Sequence, residues 1–381
     1  MKLSRLYTEF TNSEKTSGII LILCTVLSLV LSNSAVGESY LHLFHLKIAH
    51  KPIEFWINDG LMTIFFLLVG LEIEREIYIG ELSNIRKSLL PIIAAIGGML
   101  VPALIHFSLN SGTATQSGFG IPMATDIAFS LAILSLLGNR VPASLKIFLT
   151  ALAIIDDLGA IIVIALFYSK GFSLVYFSMA MGLFGVMLIL NRLKVYRIWL
   201  YLIMGVFMWF CMHKSGIHAT ITGVLLAFAI PFGKGDEDSV SYRLQHKLHL
   251  PVAFIILPLF ALANTAIIIP TGILDSLSAS NSYGIILGLV IGKPVGVFLF
   301  SILGIMIGWC ALPDGLKKHH LLLTGLLAGI GFTMSIFITL LAYSDPILIA
   351  VSKVAIIIGS VVSAVLGFIG LRLTLKTQNA D

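Results

Sequence analysis

Ala151-Leu152-Ala153-Ile154-Ile155-Asp156-Asp157-Leu158-Gly159-Ala160 sets two adjacent carboxylates inside an apolar run. Between Lys146 and Lys170 they are the only charged residues. An uninterrupted stretch of this length is what a helix needs to cross a bilayer, about 20 residues. The rest of the chain agrees. Of 381 residues, 58% are hydrophobic and 11% are charged, where a soluble domain carries about a quarter charged residues. No soluble fold hides that much apolar surface. The expected solvent is lipid.

Working outward from this run, hydropathy marks about twelve spans. They cover 17–34, 53–71, 89–109, 121–138, 143–168, 172–191, 197–213, 216–232, 251–270, 283–308, 320–343 and 346–371. The expected fold is an all-α polytopic membrane protein, one integral-membrane domain over 1–381. Connections are short, with no linker or low-complexity tract. Cys24, Cys211 and Cys310 lie in apolar runs without metal-ligand spacing and read as small apolar residues.

Orientation follows from Lys and Arg. With a cytoplasmic N-terminus, every basic loop residue lies inside except Lys47, Lys51, Lys170 and Lys214; Lys376 adds to the inner excess at the C-terminus. Lys293 and Lys353 fall within spans. Both termini are therefore expected in the cytoplasm. The net charge of +5 sits in these loops, which argues against nucleic acid as a partner. The start of the chain has some features of a secretion signal, with Lys2, Arg5 and Lys15 before the run Gly18 to Leu31. With so many later spans, a retained first helix is the simpler account.

Two spans carry break signals. Span 4 opens with Gly118, Gly120 and Pro122 before Met123-Ala124-Thr125-Asp126. Span 11 carries Gly325, Gly329 and Gly331, then Phe332-Thr333-Met334-Ser335. Either alone could be a packing or kink site. Their placement in the two halves suggests inverted repeats, spans 3–5 and 10–12, each with an interrupted middle helix that offers an ion site near the midplane.

Charged residues within spans are costly and usually functional. Asp59, at the head of the run Gly60 to Leu71, suits a cap or brace, and Lys353 suits a snorkelling or balancing charge. Asp156 and Asp157 differ, because two adjacent buried carboxylates cannot both stay ionised without a cation or a partner. Neighbouring helix positions point about 100° apart, so one can face a cavity and the other a neighbouring helix, with Gly159 letting that helix come close. Carboxylates supply the oxygen ligands a hard cation such as sodium needs. A carboxylate removed from water also binds a proton more readily. Competition between the two ions for the same groups would give exchange without covalent chemistry. Asp126 brings a third carboxylate, with Thr125 offering a hydroxyl, and the positive ends of half-helices would meet Asp126. Lys293, in Ile291-Gly292-Lys293-Pro294, is a natural partner for Asp156 or Asp157 when sodium is absent.

Further motifs are Phe55-Trp56-Ile57-Asn58-Asp59-Gly60, Leu71-Glu72 through Arg75-Glu76, and Ser215-Gly216-Ile217-His218. With Ala124-Thr125-Asp126, Asp156-Asp157 and Gly292-Lys293-Pro294, they make the chain resemble the NhaA sodium/proton antiporters over nearly its whole length. NhaA is itself a type case of inverted repeats, so the resemblance carries that architecture with it, including crossing of the two interrupted helices. It implies that Asp156 and Asp157 bind sodium or lithium and carry protons, and that Asp126 and Lys293 compensate the dipoles of the breaks. It implies a secondary active antiporter, not an enzyme, exchanging one sodium outward for two protons inward in pH and sodium homeostasis. It also implies a bacterial inner membrane and a homodimer, with the segment from about Val36 to Pro52 forming a hairpin contact. No cofactor is expected beyond the transported ions.

The resemblance places pH sensing near the cytoplasmic mouth, at Glu72, Arg75 and Glu76 after span 2 and at Arg243, His246 and His249 before span 9. Histidine titrates near physiological pH. Here Gln245 stands where the best-known members carry an acid, and Glu74 where they carry a base, so the active pH range does not transfer. His246 and His249 equally suit a solvated amphipathic segment, and His218 a packed polar position. Three rival functions fit less well or remain distinct: an organic-anion carrier, which adjacent carboxylates disfavour; an intramembrane aspartyl protease, which needs its aspartates on separate helices; and a cation channel, which would pass sodium without a proton gradient.

Overall fold

A chain in lipid must satisfy its backbone hydrogen bonds internally, so a sequence this apolar folds as helices. The computed structural model describes residues 2–169, 171–269, 277–313 and 315–375. Two of the loop cations, Lys170 and Lys376, and the last residue of the expected ninth span, Pro270, lie outside them. Among the described residues, ten helices are long and apolar enough to cross a membrane. Lys318–Ala328 with Phe332–Ala342, bent by 52°, forms an eleventh. The remaining expected span, 216–232, contains only the nine-residue helix Ile221–Ala229. Span numbers are kept from the sequence.

Helix ends follow local chemistry. Asp345 accepts a hydrogen bond from the N–H of Ile347, and Pro346 follows at the first helical position of Pro346–Thr374, where its missing donor costs nothing. Span 9 begins earlier than hydropathy places it. Ser239 caps Val240–Pro251 through the N–H of Tyr242, and the helix passes through a π turn at Val252–Ile256 into Leu257–Asn264. His246 and His249 therefore lie on the span's own helix and not in a loop before it. Between spans 1 and 2, Lys47–Ile48 pairs antiparallel with Lys51–Pro52, and Ala49 and His50 take the positive φ values of a tight turn.

The chain divides into two compact units. The first comprises Met1–Gly37, Asn84–Ala160 and Asn264–Asp381. Within it, spans 3 and 10 meet backbone to backbone. A Cβ on Gly296 would lie 2.1 Å from the Gly97 carbonyl oxygen, and one on Gly97 would lie 2.3 Å from that of Gly296. Close approach through small residues is a general means of helix association in lipid. Beside this contact, Gly98 leaves space for the chain of Lys293, whose Cε is 3.6 Å from where a Cβ would stand. Gly159 likewise accommodates Met99.

The second unit comprises Glu38–Ser83 and Ile161–Ala263. Its core joins Leu67 and Leu71 of span 2 to Tyr201, Met208 and Met212 of span 7 and Leu226 and Ala227 of the short helix. Gly223 packs against the backbone of span 2 at Thr63.

Replacing Gly296 by Val should drive spans 3 and 10 apart and lower stability by about 1–3 kcal/mol, the usual cost of overpacking. Gly182→Ala is the control, since nothing lies within 4 Å of its added Cβ. Thermal unfolding of the detergent-solubilised protein should show a lower midpoint for the first and no loss for the second.

Candidate functional site

Both expected breaks are present in the first unit. Span 4 runs as a 3-10 helix, Gln116–Met123, then extended backbone, then Ile127–Ser135. Span 11 is interrupted over 329–331. The two breaks cross and serve each other's backbone. The N–H of Asp126 donates to the Ile330 carbonyl at 2.6 Å. Ser130 Oγ donates to the Leu327 carbonyl at 2.8 Å, and Ser335 Oγ to the Ile121 carbonyl at 2.7 Å.

Asp126 lies where two helix N-termini converge. Its Oδ1 accepts from the N–H of Phe129 at 3.0 Å, capping its own helix. Its Oδ2 accepts from the N–H of Thr333 at 3.0 Å and from the Thr333 hydroxyl, capping Phe332–Ala342. A carboxylate suits this position because unsatisfied N–H groups and the helix dipole both favour negative charge. At the opposite polarity, Lys293 Nζ donates to the carbonyl of Met123, the last residue of the 3-10 segment. Lys293 follows a π turn, Gly288–Gly292, and precedes Pro294. Such turns recur at functional sites.

Lys293 also pairs with Asp156. Its Nζ lies 2.6 Å from Asp156 Oδ2, and both side chains are fully buried. The same oxygen accepts from Thr125 Oγ1 at 2.7 Å. Thr125 Oγ1 is also 2.8 Å from the Ala328 carbonyl, and its single proton serves one acceptor at a time. Asp156 Oδ1 has no hydrogen-bond partner among the described residues, so it is open to a proton or a cation. Asp157, next in the helix, is 1% exposed. Thus Thr125, Asp126, Asp156 and Lys293 are brought together around the crossed breaks, with Asp157 beside them. The sequence marked Thr333 only as a polar residue near a break. Its pairing with Asp126, 207 positions away, has no local signature.

The other singled-out residues lie elsewhere. Lys353 is buried in span 12. Asp59 is on a π turn, Trp56–Leu61, at the start of span 2, where the Thr63 hydroxyl donates to its carbonyl. His218 meets the Tyr168 carbonyl through Nε2, at 3.1 Å. In the second unit, the Arg75 guanidinium lies 5.0 Å from the Tyr242 ring, on which His246 stacks at 6.3 Å. Tyr242 thus joins two of the proposed pH-sensing positions, a link the sequence did not suggest. Glu72 and Glu76 share the Arg75 helix, and His249 shares that of His246. Glu74 is 4% exposed, and its Oε2 has no partner among the described residues.

Breaking a buried ion pair by removing one partner costs about 3–5 kcal/mol, because the other charge is stranded. Lys293→Gln should therefore markedly destabilise the protein, and adding Asp156→Asn should recover much of the loss. Unfolding midpoints of the two single variants and the double variant form the test cycle.

A model of the family described as Na+/H+ antiporter 1 matches residues 8–371. The chain is 60% identical to the Na(+)/H(+) antiporter NhaA of Flavobacterium psychrophilum, over 99% of this chain and 98% of that one. It is 57% identical to that of Cytophaga hutchinsonii, over 99% and 97%, and 59% identical to that of Dechloromonas aromatica, over 99% and 98%. With near-complete coverage at these identities, the chain belongs to the Na+/H+ antiporter 1 family.

Proposed function

We propose that the protein exchanges sodium or lithium from the cytoplasm for external protons, with Asp156 and Asp157 as the shared binding groups. The observation that carries this reading is the Lys293–Asp156 pair, buried at the crossing of two broken spans beside Asp157. Family membership supports the identity of both ions.

In this mechanism, sodium entering the site takes the oxygens of Asp156 and Asp157 and displaces Lys293 from Asp156. Lys293 then releases a proton, and a second proton leaves with the ionisation of Asp157. When sodium departs on the other side, two protons return and the ion pair reforms. Thr125 offers its hydroxyl to Asp156 or to the Ala328 carbonyl as the charge on Asp156 changes. Asp126 and Lys293 hold the breaks open by balancing exposed N–H and carbonyl groups. Coupled groups titrate as a unit, so the two protons belong to the cluster.

The remaining parts of the reading are that the protein sits in a bacterial inner membrane with both termini cytoplasmic, works as a homodimer and is regulated by pH. The excess of Lys and Arg on one side supports the orientation. The Arg75–Tyr242–His246 contacts support a regulatory role for that cluster, with Glu72, Glu76 and His249 on the same two helices. Replacing His246 and His249 together should shift the pH at which exchange appears while leaving the maximum rate nearly intact. An unchanged profile would return them to a solvated face.

Reconstitution into liposomes tests the function directly. Sodium should collapse an imposed pH gradient, and Asp157→Asn should abolish the collapse while the protein still inserts. Two protons per sodium carry one net charge inward, so an inside-negative potential should contribute about 2.3 kcal/mol per 100 mV to sodium extrusion. The sodium gradient that gives zero flux should therefore move with clamped voltage. A voltage-independent null point would mean one-for-one exchange.

A further inference from the structure

Building on the exchange reading above, we propose that Tyr343 is a positioning residue for the ion site. It holds the first half of broken span 4, and through it the Met123 carbonyl to which Lys293 donates. That half is weak by itself. Gln116–Met123 runs eight residues as a 3-10 helix, where such runs seldom pass four because their hydrogen bonds are poorly aligned. Pro122 lies within it and has no N–H to give. A segment with so little hold on its own shape takes its position from what surrounds it.

Tyr343 meets the segment at its start. Its hydroxyl donates at 2.9 Å to the carbonyl of Thr115, the N-cap residue, which also accepts from the Gly118 N–H at 3.0 Å. Gly118 lets the ring in, since a Cβ there would overlap the Tyr343 hydroxyl. Beside it, Ser117 Oγ donates to the Ala342 carbonyl at 3.2 Å. Further along, Ser335 Oγ holds the Ile121 carbonyl, and Lys293 Nζ holds that of Met123. The segment is therefore fastened at its start, middle and end. Phe332–Ala342 and its C-cap Tyr343 supply the first two fastenings.

Tyr343 is itself held. It is buried, and its hydroxyl also lies 2.7 Å from Asn281 Oδ1. Asn281 Nδ2 donates to Ser352 Oγ of span 12 at 2.8 Å, and His106 Nε2 of span 3 lies 3.1 Å from Asn281 Oδ1. An amide oxygen only accepts, so that His106 nitrogen carries the proton. Tyr343 has one proton for two acceptors. With Asn281 Oδ1 already served by His106, the Tyr343 proton goes to Thr115. Asn281, His106 and Ser352 are all buried, so the hydroxyl is aimed by a network drawn from spans 3, 10 and 12.

The effect reaches Lys293 at the other end of the segment. The Met123 carbonyl carries partial negative charge and stabilises the ammonium beside it. Tyr343 stands ten residues beyond Thr333, about 15 Å along a helix, so it acts through the segment and touches no ion. Without its hydroxyl the segment loosens at its start, its last carbonyl is held less firmly, and the Lys293–Asp156 pair loses support. Sodium then displaces Lys293 at lower concentration. Exchange also begins at lower pH, because protons compete less well for the site.

Sodium/proton exchange in proteoliposomes and amide hydrogen exchange read by mass spectrometry, both on the full-length protein, test this. Tyr343→Phe keeps the ring and removes the hydroxyl. It should lower the sodium concentration for half-maximal exchange severalfold, up to about tenfold for one lost hydrogen bond. The pH profile should move to lower pH with the maximum rate nearly kept, and amides of residues 116–126 should exchange faster. Gly118→Ala displaces the same hydroxyl and should act alike, and the double variant should add little, since both remove one contact. Tyr201→Phe, which removes a hydroxyl bonded to the Val195 carbonyl in the second unit, should change neither reading. Unchanged half-saturation and pH profile in Tyr343→Phe, or a fall in maximum rate alone, would overturn the assignment. Unchanged amide exchange over 116–126 would overturn it equally. Amide exchange is read without transport, so failure of this assignment and failure of the exchange reading are told apart.

Discussion

A helix that breaks within a membrane leaves N–H and carbonyl groups where no water can reach them, at several kcal/mol for each group left unpaired. The first unit answers this by breaking two spans at the same place. Asp126 serves two N-termini, Lys293 serves a carbonyl end, and Ser130, Ser335 and the backbone of Asp126 pair across the crossing. The close contact between Gly97 and Gly296 follows from this constraint. Beside that contact, Gly98 leaves room for the Lys293 chain, whose Nζ donates to the Met123 carbonyl.

The same constraint gives the site its chemistry. Lys293 holds both a carbonyl end and Asp156, so changing the charge on Asp156 also changes what balances the break. A buried ion pair is poor evidence for stability, since its desolvation cost offsets most of its attraction. It is better suited to a site whose partners must separate and rejoin. Thr125, within reach of both Asp156 and the Ala328 carbonyl, ties the carboxylate to the backbone of the other break.

Much of this is legible in the sequence alone. Two adjacent aspartates in a long apolar run stand out because lipid penalises charge so heavily, and Gly and Pro mark both breaks. The pairings were not legible, because Thr125 with Ala328 and Asp126 with Thr333 join residues about 200 positions apart. Hydropathy also misplaced the start of span 9. The stretch Val240–Pro251 is too polar to register as a span, yet its cap and the following π turn continue one helix. Glu74 stood out only as a departure in charge, and its burial depends on packing that no local pattern encodes.

The short helix of span 8 has a consequence for how the protein is made. Nine residues rise about 13 Å, under half of a hydrocarbon core of about 30 Å. The rest of the expected span, 216–220 and 230–232, is turn and extended backbone, and span 6 serves the last carbonyl of the helix, Asn191 Nδ2 donating to Ala229 at 3.0 Å. Such a segment cannot leave the translocation channel alone, because lipid would meet its open backbone. It must wait in the channel or enter the bilayer as a hairpin with span 7, against spans already inserted. The order of synthesis then matters to assembly here, since spans 2 and 6 precede it along the chain.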